Sequence, residues 1–223
     1  MKKLLSAAAL VLGLGVTSAH ATPINVTYQS GGVFGSGNLQ QKVKVHTPGV
    51  GHDGYVKAGL FHLTGDQGVG NFVAFCVDLA QYLGNPQQVE LNPTLFTGTI
   101  RENIAKLFDV ALGGDTLAGA IDTSLEAAGL QVALWEVLYD SATGFDLTSG
   151  GFYISTNAAV KSQAETYLAG LPGASASNYT LTFYESDDHQ DLVTVEPVPL
   201  PAAGVLLAFG IAGLGFAGRR KKS

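Results

Sequence analysis

Only one cysteine, Cys76, occurs in the 223 residues. No disulfide can therefore form within the chain, although exported proteins usually pair their cysteines. Basic residues are also scarce, with 12 Lys and Arg against 18 Asp and Glu. Long apolar runs are missing too. The two longest, Leu4 to Val16 and Ala202 to Gly218, are short for a membrane-spanning helix, which takes about 17–25 residues. There is no Gly-x-Ser-x-Gly, no phosphate-binding Gly-rich loop and no His-Glu-x-x-His. Conventional hydrolase and nucleotide chemistry therefore has no motif behind it, and no internal repeat is visible.

Both ends carry addressing signals. Met1-Lys2-Lys3, the apolar run and Ser18-Ala19-His20-Ala21 have the order of a secretory signal peptide, with cleavage expected after Ala21. At the other end Val198-Pro199-Leu200-Pro201 is too stiff for a helix interior. The second apolar run follows, then Arg219-Arg220-Lys221-Lys222, a cluster that marks the cytoplasmic side. The expected divisions are a signal peptide at 1–21, an extracytoplasmic domain at 22–197 and a sorting segment at 198–223. Six of the basic residues lie in the two ends, so the domain keeps six against 18 acidic ones, a formal charge of −12. So acidic a domain excludes nucleic-acid binding by phosphate neutralisation.

The tail from Val198 to Ser223 resembles the PEP-CTERM sorting signals of Gram-negative bacteria, in their VPLPA variant. The resemblance implies an exosortase-type processing enzyme as a partner in the membrane. It also implies release to the cell surface or its exopolysaccharide.

The fold class expected is α+β. Ile24–Tyr28, Lys42–Val45, Tyr55–Phe61 and Phe72–Phe75 read as strands, separated by turns at Gly31-Gly32, Pro48-Gly49 and Gly65-Asp66. Helical spacing then covers Ile100–Leu112, Ser124–Tyr139 and Asn157–Leu168. A short linker-like stretch, Ala174–Asn178, leads back to strand at Tyr179–Tyr184 and Leu192–Val195. The picture is an antiparallel sandwich or barrel body with a helical insert of two to three helices. A transmembrane sorting segment would follow it.

Two segments carry the chemistry. Phe75-Cys76-Val77-Asp78 ends a strand, and Leu130-Gln131-Val132-Ala133-Leu134-Trp135 lies on a helix. Trp135 is one turn beyond Gln131 and on nearly the same side. Together they resemble the Cys–Gln thioester domains of bacterial surface adhesins. That resemblance implies attack of Cys76 on the Gln131 carboxamide, loss of ammonia and a stored thioester. A protein amine or a polysaccharide hydroxyl would then be captured covalently. Phe75 and Trp135 would shield the bond from water, and Asp78 would position nearby backbone. Such a protein is a single-turnover binder rather than an enzyme, and it needs no cofactor or metal. The competing expectation is a passive matrix or carbohydrate-binding β-domain.

Two metal readings are weaker. Glu185 to Asp191 is rich in oxygen ligands, but it sits between strands and lacks the spacing of a calcium loop. It reads better as a hairpin turn. His46, His52 and His62 have no ligand-type spacing and read as surface histidines.

Overall fold

The structure, a computed structural model, describes residues 22–141 and 144–199. Ala21, Leu200, Pro201, Arg219 and Arg220 therefore lie outside the described residues, as do both apolar runs. Among the described residues no helix is long and apolar enough to cross a membrane.

Six strands close into an antiparallel barrel: β1 (Ile24–Tyr28), β4 (Phe61–Gly65), β5 (Gly70–Cys76), β9 (Leu192–Pro197), β8 (Tyr179–Glu185) and β6 (Gln87–Leu91), in that order around the wall. A second sheet holds β2 (Gln40–Thr47) between β3 (His52–Gly59) and the short β7 (Tyr153–Ile154). Period-two patterning builds this sheet. Val43, Val45 and Thr47 turn inward and are fully buried, while Lys42, Lys44 and His46 alternate with them on the open face.

Four helices lie between β6 and β8: α1 (Gly98–Leu112), α2 (Leu117–Ala120), α3 (Ser124–Asp140) and α4 (Ala158–Gly170). The body is thus α+β, with a barrel rather than a sandwich. The insert has one short helix more than expected. α3 is the central post. It starts on a capping box in which the Thr123 hydroxyl accepts the Glu126 N–H and the Glu126 carboxylate accepts the Thr123 N–H. From Ala127 to Val137 every residue is buried, so no face is left for solvent. The second sheet packs on one side of it, α1 and α4 on others.

One expected strand is corrected. Tyr55–Phe61 is not continuous: the chain leaves the second sheet after Gly59 and enters the barrel at Phe61. The Leu60 N–H donates to the Leu39 carbonyl at 3.0 Å, which holds the corner. A Cβ on Gly59 would stand 2.2 Å from that same carbonyl oxygen, so only glycine fits there.

Candidate functional site

The corner at Gly59-Leu60 creates the site. β4 pairs with β5 as far as Phe61 opposite Ala74, and then turns away. Cys76, two residues further along β5, has no strand partner on that side. Its N–H and C=O would be orphaned inside the core, which is costly. Gln131 of α3 supplies both partners. Its Oε1 accepts the Cys76 N–H at 3.0 Å, and its Nε2 donates to the Cys76 carbonyl at 2.8 Å. The carboxamide thus acts as one peptide unit of a missing strand. Both residues are 1% exposed. The backbone also settles which end of the carboxamide is which, because an N–H needs an oxygen and a carbonyl needs an N–H.

The sulfur points elsewhere. Cys76 Sγ donates to the Asp78 carbonyl at 2.6 Å and accepts the Asp78 N–H at 3.3 Å. Burial pushes the thiol pKa up to about 12, against smaller opposing pulls from the Asp78 backbone and the Trp135 indole N–H. That indole nitrogen is buried and has no hydrogen-bond partner of ordinary geometry. Burial keeps the thiol neutral.

The supporting residues divide. Trp135 packs on Phe152, with ring centroids 6.0 Å apart, and lines a pocket together with Cys76. Phe75 packs on Phe108 at 6.2 Å. Strand alternation sends it to the face of β5 opposite Cys76, so it cannot shield the sulfur. The Asp78 carboxylate accepts the N–H of Ala80 at 2.7 Å and shapes the turn after the strand. Only its backbone touches the thiol.

Three contributors had no signal in the local sequence. The Tyr139 hydroxyl accepts the Leu79 N–H at 3.2 Å, and Gln190 Nε2 donates to the Asp78 carbonyl at 3.3 Å. Both hold the turn that contacts the sulfur. The pocket, about 270 Å³, is walled by Tyr28, Phe34, Phe61 and Leu79 as well as by Cys76 and Trp135. It reaches the cysteine from outside. Gln131 does not line it and lies behind Cys76.

The metal readings find no support. No group of three His, Cys, Asp or Glu suited to a metal exists among the described residues. The Glu185–Asp191 segment is a hairpin turn between β8 and β9, and the Asp191 carboxylate accepts the Ser186 N–H at 2.8 Å. His52 and His62 each leave a buried Nε2 without a partner, whereas His46 is fully engaged on the second sheet. Of the sorting motif, Val198 and Pro199 fall at the described end, where the Val198 N–H donates to the Asn178 carbonyl.

The fold and site therefore define a class: an α+β barrel domain with a buried Cys–Gln pair joined across a strand end. No family model, curated protein or solved structure matches the chain.

Proposed function

We propose that this is an exported, adhesin-like protein of the cell surface or exopolysaccharide matrix. In it Cys76 and Gln131 form an internal thioester that couples to a partner nucleophile. The observation that carries the reading is the docking of the Gln131 carboxamide on the backbone of the cysteine it would acylate. Two costs of the reaction are met in advance. The carbonyl carbon is held beside the nucleophile's own residue, which replaces a chance encounter by a fixed one. The Cys76 N–H already sits on Oε1, where negative charge develops when the carbonyl is attacked.

The chemistry balances without an outside reagent. The sulfur turns from the Asp78 carbonyl and bonds to Cδ of Gln131. The C–N bond breaks, and the thiol proton leaves with the nitrogen as ammonia. In the second step a protein amine or polysaccharide hydroxyl attacks Cδ. The C–S bond breaks, the nucleophile's proton passes to sulfur, and the partner stays on Gln131. Burial of the pair limits the access of water, the competing nucleophile, and the pocket that Cys76 borders is the route for the partner. Export fits this use, because a bond formed outside the cell would hold the protein in place after an exosortase-type enzyme removed its tail. The aromatic walls of the neighbouring pocket favour a second reading, a carbohydrate-binding domain without covalent chemistry. Tyr82, 79% exposed, stands on the rim of that pocket.

Intact mass of the secreted domain separates the two. The thioester form is lighter than the encoded sequence by about 17 Da, and methylamine adds about 31 Da to it. Cys76→Ala should show neither change. A full encoded mass with a thiol that titrates on unfolding would overturn the covalent reading.

A further inference from the structure

The open face of the second sheet holds a constellation that the thioester does not use. His46 of β2 lies directly opposite Asp53 of β3 and beside Tyr153 of β7 in the strand register. Its Nδ1 is 2.9 Å from Asp53 Oδ2, and its Nε2 is 2.8 Å from Ser155 Oγ. The Tyr153 ring stacks on the imidazole at 4.5 Å with an interplanar angle of 9°.

These contacts fix which tautomer a neutral imidazole adopts. The His46 hydrogen bond and the nearby Lys44 ammonium, 3.4 Å from Oδ1, hold the Asp53 carboxyl below its usual range. Asp53 is therefore ionised and can only accept, so Nδ1 carries the hydrogen. When the ring carries no charge, Nε2 is then the lone pair facing the Ser155 hydroxyl. This is the order of groups that activates a serine: a base on the hydroxyl, and a carboxylate orienting the base.

We infer that Ser155, His46 and Asp53 form a second reactive site, in which Ser155 is a nucleophile toward carboxylic esters. Ser155 Oγ bonds to the ester carbonyl carbon while its proton passes to His46 Nε2. Collapse of the intermediate breaks the carbon–alkoxy bond, and the same proton leaves with the alcohol. Water, deprotonated by His46, then releases the carboxylic acid and restores the serine. Asp53 is a positioning residue, because it acts only through the imidazole. α4 begins three residues after Ser155, at Ala158, with the Asn157 side chain capping it through the Val160 N–H. The site is open, with Ser155 and Asp53 both exposed. Small or flexible esters, such as acyl groups on a polymer chain, are therefore the substrate class it admits. The absence of a Gly-x-Ser-x-Gly motif does not bear on it, since such relays are defined by geometry rather than by chain order.

The test uses the secreted chain in a Cys76→Ala background, which silences the thiol and makes the result independent of the thioester. A fluorophosphonate probe and p-nitrophenyl acetate are the reagents. Peptide mapping should place the phosphonyl group on Ser155. Ester turnover should rise with pH through the range where an imidazole loses its proton. Ser155→Ala should abolish both signals, and His46→Gln should reduce labelling at least tenfold with an unchanged circular dichroism spectrum. Asp53→Asn should lower turnover at saturating ester and displace the pH profile, which loss of a merely structural contact would not do. Absence of label, label on another residue, or labelling indifferent to His46→Gln would each overturn the inference.

Discussion

Gln131 and Cys76 meet at two points, Oε1 on the cysteine N–H at 3.0 Å and Nε2 on its carbonyl at 2.8 Å. The contact completes a strand that β4 leaves unfinished. In the unreacted chain it therefore has a stabilising role of its own, whose Nε2 half is lost with the ammonia once the thioester forms, and the two roles separate by substitution. Gln131→Ala strands a buried donor and a buried acceptor, at about 1–3 kcal/mol each. Denaturant titration should show a loss of about 2–5 kcal/mol in total, with the far-ultraviolet spectrum retained.

Gln131→Glu keeps the shape but changes one atom from donor to acceptor. The protonated acid can still donate to the Cys76 carbonyl, whereas the carboxylate sets two oxygens against one another. The variant should hold near wild-type stability below about pH 4 and weaken as pH rises. The folded state prefers the protonated acid, so its pKa is raised in the fold, and the stabilisation is lost as pH climbs through that raised value. Urea midpoints measured at pH 4 and pH 8 check this. Equal midpoints relative to wild type at both would contradict the donor role of Nε2.

The free thiol should behave as a very weak acid. Its pKa is pushed from 9.0 up to about 12, chiefly by burial. Cys76 borders the pocket, the route a small reagent would take to the sulfur, so ionisation should set the rate. After methylamine opening, iodoacetamide alkylation should rise about tenfold per pH unit from pH 7 to pH 10. A plateau near pH 9 would show an ordinary, solvated thiol.

The Cys–Gln pairing was legible only through the resemblance of its two motifs to thioester domains, because a lone cysteine at a strand end and a glutamine in an apolar helix each ask for an explanation without pointing to one another. The main helices were legible too, from the spacing of residues such as Ile104, Leu107 and Phe108, all fully buried. β6 was not. Gln87-Gln88-Val89-Glu90-Leu91 offers one apolar residue pointing inward, Val89, and is a strand because β1 and β8 flank it. The two-residue β7 is likewise made by β2. The relay at Ser155 unites β2, β3 and the end of β7, separated by up to 109 positions. No local pattern reports a contact of that length.

The break at Leu60 was hidden for a related reason. Tyr55–Phe61 has good strand composition throughout, and the corner comes from Gly59 lying against the Leu39 backbone. Gly59→Ala should force the two backbones apart and cost about 1–3 kcal/mol, with thermal unfolding as the measure. Because the same corner ends β4 beside Cys76, the variant should also weaken the thioester mass signature. Stability lost with that signature intact would show that the corner and the site are independent.

The last expectation concerns Glu136, one residue beyond Trp135 and fully buried. Its Oε1 accepts the Asp146 N–H at 2.6 Å, while Oε2 has no partner among the described residues. Burial raises its pKa from 4.5 to about 7, with smaller raising contributions from the Asp140 and Asp146 carboxylates and a lowering one from the Asp146 N–H. The fold thus favours the protonated acid. Its contribution to stability is complete below pH 4.5 and is lost as pH rises through about 7. The span corresponds to a difference on the order of 3 kcal/mol. Glu136→Gln keeps the acceptor for Asp146 and cannot ionise. It should match wild type near pH 4 and exceed it by about 1–3 kcal/mol at pH 8, read from urea unfolding at both values. A variant less stable than wild type at pH 8 would mean that the carboxylate is satisfied in the fold, and that the helix carrying Gln131 and Trp135 is not loosened as pH rises.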